Sequence, residues 1–228
     1  MDIVRNNTIR CVKEEWAAKI VLFLVWPFGA FLYSLKDMRS RSSFLVFFLY
    51  GMLFCWHLNP NHYDKYDDMM GIMGFFYEKS FTLDDIWQQV IGIVTFADDA
   101  TEKEVYQNFL IWFTKLFSDN HHLMFLFASI PYLFFSLKSA RFITSDTKFC
   151  NTWLFLSIVL LFVLPRDILT VQNPRFTTGV WMAVYAVLSY FLGEGKDRWK
   201  YLLLILVAPL IHSGFWFLVI LCAIILLV

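Results

Sequence analysis

Three groups of polar residues interrupt an otherwise apolar chain and could do chemistry. Arg175 stands in Gln172-Asn-Pro-Arg-Phe-Thr-Thr-Gly179, where Pro174 imposes an extended or helix-initiating backbone. A guanidinium presents a planar fork of donors to phosphate oxygens and never loses its charge, which suits an anion clamp. An interfacial arginine snorkelling to headgroups would read the same way. His212 stands in Leu206-Val-Ala-Pro-Leu-Ile-His-Ser213. Its imidazole could take a proton from a hydroxyl near neutral pH, or it could bond a carbonyl freed by Pro209. The third group follows His57 in Asn59-Pro-Asn-His-Tyr-Asp-Lys-Tyr66. There His62, Tyr63, Asp64 and Tyr66 could bind sugar hydroxyls by hydrogen bonding and ring stacking; the plainer reading is an aromatic belt and a solvated turn.

Other chemistries find little support. His57, His62, His121 and His122 have no repeatable ligand spacing, and Cys11, Cys55, Cys150 and Cys222 lie far apart without a CxxC. Neither a metal site nor a disulfide is expected, and no cofactor. Lys and Arg total 19 against 19 Asp and Glu, so nothing points to a nucleic-acid partner.

The elements that must hold these residues are membrane helices. Of 228 residues 59% are apolar, 20% aromatic and only 17% charged, with a mean hydropathy of +0.58. A water-soluble domain runs about 45–50% apolar and about 25% charged. With no water in a bilayer to satisfy the backbone, a spanning segment must be helical, nearly free of charge and about 20 residues long. Runs without Asp, Glu, Lys or Arg cover Ile20–Leu35, Ser42–Tyr63, Asn120–Leu137, Phe149–Pro165, Phe176–Gly193 and Tyr201–Val228. The last is too long for one span. It predicts a helix from Tyr201, a break near Pro209–Gly214 and the start of another span. The chain stops inside this run, as though residues 1–228 were a single membrane domain truncated at its C-terminus. The first run reads as a retained span, because no cleavage site follows it.

Positive charge sets the orientation, since Lys and Arg collect in cytoplasmic loops. Lys36, Arg39 and Arg41 form one such loop, Lys138, Arg141 and Lys148 a second, and Lys196, Arg198 and Lys200 a third. Residues 59–119 hold four lysines against eleven acids and belong outside, as does Arg175. Alternation then places the N-terminal tail outside too, against the sign of Arg5, Arg10, Lys13 and Lys19. From Lys200, helix carries His212 about 18 Å into the outer half of the membrane. It therefore meets Arg175 on a neighbouring antiparallel helix.

The outer segment 59–119 is expected to be helical rather than formless. Thr82-Leu-Asp-Asp85 and Thr101-Glu-Lys-Glu104 match the capping box that satisfies free amides at a helix start. Val105, Phe109, Trp112, Phe113 and Leu116 then fall on one helical stripe, predicting a helix that lies along the membrane surface or caps the spans. The fold class is thus all-α: a polytopic membrane bundle of about six to seven spans, with an amphipathic helical region between the second and third.

This pattern resembles the EpsG/Wzy-type family of bacterial polysaccharide polymerases. The resemblance rests on the tyrosine-rich turn after the second run, the amphipathic outer region, and Arg175 with Gly179 opening a span. It rests also on the basic loop Gly193-Glu-Gly-Lys-Asp-Arg-Trp-Lys200 followed by the apolar segment ending in His212-Ser213. His62 stands where the family's turn carries Asp, and Asp64 lies two positions on. The resemblance implies a metal-independent glycosyltransferase at the outer face of the bacterial inner membrane. It would join oligosaccharide repeat units carried on undecaprenyl diphosphate, for exopolysaccharide, capsule or O-antigen. Its partners would be that lipid-linked oligosaccharide, membrane lipid, and the chain-length regulator and flippase proteins of the same pathway. Arg175 would hold the diphosphate, and His212 would act as general base or orient the acceptor hydroxyl. His62, Tyr63, Asp64 and Tyr66 would contact sugar.

Two other readings compete. A membrane acyltransferase modifying surface glycans would want an acid paired with the histidine, and Tyr201–Val228 has none. A lipid-linked sugar flippase or transporter would favour several mid-span charges and an internal repeat, neither of which is evident.

Overall fold

The structure is a computed structural model, and it describes residues 15–37, 40–57, 68–96, 105–145, 174–192 and 198–227. Among the described residues all regular structure is helical and no strand occurs. Residues 15–25 form α1, followed by α2 (Pro27–Ser34), α3 (Arg41–Trp56), α4 (Asp68–Glu78) and α5 (Leu83–Thr95). Then come α6 (Val105–Lys115), α7 (His121–Ser145), α8 (Pro174–Leu192), α9 (Trp199–Ile211) and α10 (Trp216–Leu227). The expected run Phe149–Pro165, the box at Thr101–Glu104 and the cluster His62, Tyr63, Asp64 and Tyr66 lie outside the described residues.

The first apolar run is not the single straight helix that its length suggests. Pro27 starts a new helix, and Trp26 before it is extended (φ −150°, ψ 86°), as a residue preceding proline must be. The two arms fold back on each other. Lys19 Nζ donates to Ser43 Oγ at 2.8 Å, and Ser43 Oγ donates to the Ser34 carbonyl at 3.0 Å. A continuous helix would hold Lys19 and Ser34 about 22 Å apart. Both ends of the run therefore meet the N-terminus of α3. At the other end Phe28 reaches Tyr50 at 6.3 Å, about 13 Å along α3. Lys19 is almost wholly buried. Its ammonium also donates to Ser40 and Ser42, each at 3.1 Å, and Glu15 lies at 3.4 Å. Three seryl oxygens thus take the place of water around a buried cation.

The other helices depart less from expectation. α3 ends at Trp56, well before Tyr63. α7 extends to Ser145 and carries Pro131 within it. It packs against α3, α6 and α8, and Gly51 of α3 lets Leu133 of α7 come close. The helix His121–Phe142 is long and apolar enough to cross a membrane by length and composition, and Arg41–Trp56, Trp199–Ile211 and Ser213–Ile225 are shorter apolar helices.

The outer region does fold as helices, and Thr82 and Asp85 form the expected capping box at the start of α5. α6 turns into the protein a face largely distinct from the predicted stripe, of which Val105 is the buried member. Gln107, Asn108, Leu110, Ile111 and Thr114 are buried, whereas Phe109 and Leu116 of the predicted stripe are exposed. Ile111 and Leu110 pack with Ile72 and Phe76 of α4 and with Met124 and Phe125 of α7. Asn108 donates to Gln89 of α5 at 3.0 Å. Leu110 and Ile111 supply the apolar contacts of this inward face, and Asn108 adds a hydrogen bond to α5.

Candidate functional site

α8 and α9 run antiparallel, and their contacts form successive layers. Tyr185 meets Tyr201 at 5.8 Å near one end. Ala186 packs with Ile205, and Met182 and Ala183 pack with Ala208 and Ile211. At the far end Phe176 meets His212 at 5.6 Å. Arg175 and His212 therefore share one end of the pair, as the charge pattern of the loops predicts. The Arg175 guanidinium is within electrostatic reach of the His212 ring.

Local sequence explains why His212 sits where it does. Its amide still bonds the Ala208 carbonyl at 3.1 Å, but its backbone is extended (φ −153°, ψ 123°) and ends α9. Pro209 lies inside the last turn of α9 rather than at the break. A 3₁₀ turn, Ser213–Phe215, leads into α10. His212 caps this turn: its Nδ1 accepts the Gly214 amide at 3.1 Å. The carbonyl bond considered from sequence is thus replaced by the opposite polarity, with the ring as acceptor.

That polarity fixes the tautomer. A backbone N–H can only donate, so Nδ1 presents a lone pair and the neutral ring carries its proton on Nε2. While the cap is in place, the outward nitrogen is a donor. It cannot also accept a proton from a hydroxyl. Phe176 and Phe215, with centroids 5.6 and 5.9 Å from the imidazole, hold the ring edge-on. Phe215 in turn lies against Gly179, where a Cβ would come within 2.3 Å of its ring.

Two hydroxyls that the sequence reading missed belong to the same neighbourhood. Thr178 is fully buried, one helical turn beyond Arg175 on the same face of α8. The Tyr106 hydroxyl of α6 faces it within hydrogen-bonding reach, and neither oxygen has another partner. Tyr106 packs into the cluster that holds Met182, Ile211 and Phe215. Burial pushes its hydroxyl well above the ordinary phenolic range, so it remains a protonated donor. The available signal was the polar triplet Tyr106-Gln-Asn108 in an aromatic helix.

Arg175 and the His212 Nε2–H thus share one end of the α8–α9 pair, with the Tyr106–Thr178 hydroxyl pair packed beside it. Among the described residues no carboxylate bonds His212, whose hydrogen-bond partner is the Gly214 amide. Such a set can bind and stabilise an anion.

A second polar group gathers beside the end of α3. The Tyr77 hydroxyl and His121 Nδ1 are 2.8 Å apart, His121 and His122 lie 4.1 Å apart, and Trp56 lies 5.9 Å from His122. Among the described residues no three His, Cys, Asp or Glu side chains converge as a metal site.

Comparison of the chain with family models, with curated proteins and with solved structures finds no match.

Proposed function

We propose that this protein is a polytopic membrane enzyme that polymerises oligosaccharide repeat units carried on an isoprenyl diphosphate. The site would lie at the extracytoplasmic face of the bacterial inner membrane. The membrane part of this reading is supported by an inverted distribution of polarity. Leu24, Val25, Phe117, Phe217 and Ile220 are exposed, while Lys19, Gln107, Asn108, Thr114 and Thr178 are buried. Water-soluble proteins do the reverse, and large exposed apolar patches mark contact with lipid or a partner.

The catalytic part is carried by one observation: Arg175 and His212 meet at the same end of α8 and α9, with His212 held as an Nε2–H donor. In glycosyl transfer the acceptor oxygen attacks the anomeric carbon as the bond to the diphosphate breaks, and negative charge grows on the departing phosphate. Donors placed where that charge develops accelerate the step. Arg175 holds the diphosphate, and His212 donates to it. The Nδ1 cap thus moves His212 from the general-base role suggested by the resemblance to the leaving-group side. The acceptor proton leaves to water or to the released diphosphate, a good leaving group that needs no nucleotide.

The test is the length of lipid-linked glycans in cells carrying the full gene. Arg175→Lys keeps the charge but loses the fork, and should shorten the polymer. Unchanged polymer in both Arg175→Lys and His212→Ala would remove the proposal; acylated glycans or altered sidedness would redirect it to an acyltransferase or a flippase.

A further inference from the structure

We infer that α5 lies flat in the outer interface of the membrane, with Leu83, Trp87, Ile91 and Val94 turned into the acyl chains of the surrounding leaflet. This inference rests on the membrane part of the reading above and not on its chemistry.

The direction of α5 follows from its neighbours. α10 folds back along α9, because Cys222 packs with Ile205, so the turn at His212–Phe215 is the outer tip of a helical hairpin. α6 starts at this tip, where Val105 packs with Leu210 and Trp216. It then reaches the first turns of α7, where Leu110 and Ile111 pack with Met124 and Phe125. In the membrane reading both places are outer ends of spans, so α6 runs across the bundle. α5 runs back beside it: Phe96, at the end of α5, meets Trp216 at 4.8 Å, and Gln89 bonds Asn108 further along α6. α5 is therefore crosswise too.

Its surface is divided in the way such a position requires. Ile86 and Ile93 are buried against the protein. Leu83, Trp87, Ile91 and Val94 are exposed, and their spacing puts them on one stripe that flanks the buried face. Asp84, Asp85, Gln88 and Thr95, also exposed, form the polar arc beyond it. An apolar stripe bearing a tryptophan, next to a polar arc, is the pattern of a helix at a lipid–water boundary.

Lipid, rather than another protein, is the occupant because the stripe continues into a surface that the membrane reading already gives to lipid. Through Phe96 and Trp216 it joins the exposed Phe217, Ile220 and Ile224 of α10. The joint is held firmly. Phe96 keeps a left-handed backbone (φ 54°), which a residue with a side chain adopts only when its surroundings hold it there. α5 carries Asp84 and Asp85 but no Lys or Arg, so apolar contact and not anionic headgroups would hold it down. Tied to Trp216, it would keep the His212 turn at headgroup depth.

The experiment uses the full chain in phosphatidylcholine vesicles, with the four native cysteines replaced by alanine and a nitroxide label attached to one new cysteine at a time. Every labelled position is exposed, so helix packing is left alone. Collisions with oxygen, which partitions into the bilayer, and with a water-soluble nickel chelate report the surroundings of each label. In Leu83→Cys, Trp87→Cys, Ile91→Cys and Val94→Cys the label should favour oxygen and lie at one depth, about 5–10 Å below the headgroup boundary. In Asp84→Cys, Gln88→Cys and Thr95→Cys it should favour nickel. Phe217→Cys, Ile220→Cys and Ile224→Cys check the membrane reading itself. Their labels should favour oxygen and change depth along α10 by about 1.5 Å per residue.

A stripe that favours nickel lies in water, and a stripe shielded from both reagents lies against protein, such as a second copy of the chain. Either result overturns the inference while the α10 labels leave the membrane reading standing. A depth that changes steadily from position 83 to 94 would make α5 a crossing helix and overturn it as well. If the α10 labels favour nickel, the membrane reading fails and takes the inference with it.

Discussion

The ring of Phe215 occupies the space that a side chain on residue 179 would need. A Cβ placed on Gly179 would lie 2.3 Å from Phe215 Cε2, far inside van der Waals contact. Gly179→Ala gains helix propensity worth about 0.5–1 kcal/mol. It also forces apart a ring held by Phe176 at 6.1 Å and His212 at 5.9 Å, and overpacking of that kind costs about 1–3 kcal/mol. The clash should win. Thermal unfolding of Gly179→Ala should show a lower melting temperature, and the displaced His212 should weaken diphosphate binding.

His212 caps Gly214 through Nδ1 and, in the proposed reaction, donates through Nε2; two substitutions separate these. Asparagine can place an acceptor near the Nδ1 position and keep the cap on Gly214, but it lacks the distal donor. Glutamine reaches toward the Nε2 position with an amide N–H but loses the cap. His212→Asn should melt near the unaltered protein yet lose polymerisation. His212→Gln should melt lower and retain more activity per folded molecule. Equal loss of activity and stability in both would mean that the ring serves only to break the helix.

Much of this site was legible because it depends on spacing that survives folding. Counting apolar residues placed Arg175 at one end of α8, and the length from Lys200 to His212 set the two residues at the same level on antiparallel helices. Thr82 and Asp85 were legible for a similar reason, since a capping box is local. What stayed hidden depends on partners distant in sequence. The inward face of α6 is set by Ile72, Phe76, Met124 and Phe125, which pack against Leu110 and Ile111, and by Gln89, which bonds Asn108. The tautomer of His212 was hidden too, because it is set by one amide, Gly214, and not by residue type. The fold-back of the first run was signalled only by Pro27 within an apolar stretch.

The cradle around Lys19 should respond unequally to loss of its two halves. Ser43→Ala removes the closest acceptor of the ammonium, at 2.8 Å, and the donor to the Ser34 carbonyl. A buried charge is then short of a partner, at a cost of about 1–3 kcal/mol. Lys19→Met removes the charge and leaves hydroxyls that already bond one another, Ser40 with Ser42 and Ser43 at 3.0 Å each. Replacing a buried ion by an apolar group of similar size is often neutral or stabilising. Ser43→Ala should therefore lower the melting temperature more than Lys19→Met, and combining them should recover part of the loss.

Acidification should loosen the start of α5. The Thr82 hydroxyl, and then its amide, donate to the Asp85 carboxylate and hold it below the ordinary carboxylate range. A group whose folded value is depressed adds stability above its unfolded value, and that stability is lost as the pH falls through the folded one. The protection of the first amides of α5, measured against the intrinsic exchange rate at each pH, should fall below about pH 4. Asp85→Asn should show lower protection at neutral pH and little further loss of it on acidification.

The meeting of Lys19 with Ser34 and Ser43 has a consequence for topology. In the membrane reading, α1 and α2 dip in and return as a half-depth wedge tipped by Val25 and Trp26, without crossing. Glu15 then enters from the leaflet that holds Lys36 and Arg41. Lys19 then counts with the basic loops on that side and ceases to oppose the positive-inside rule.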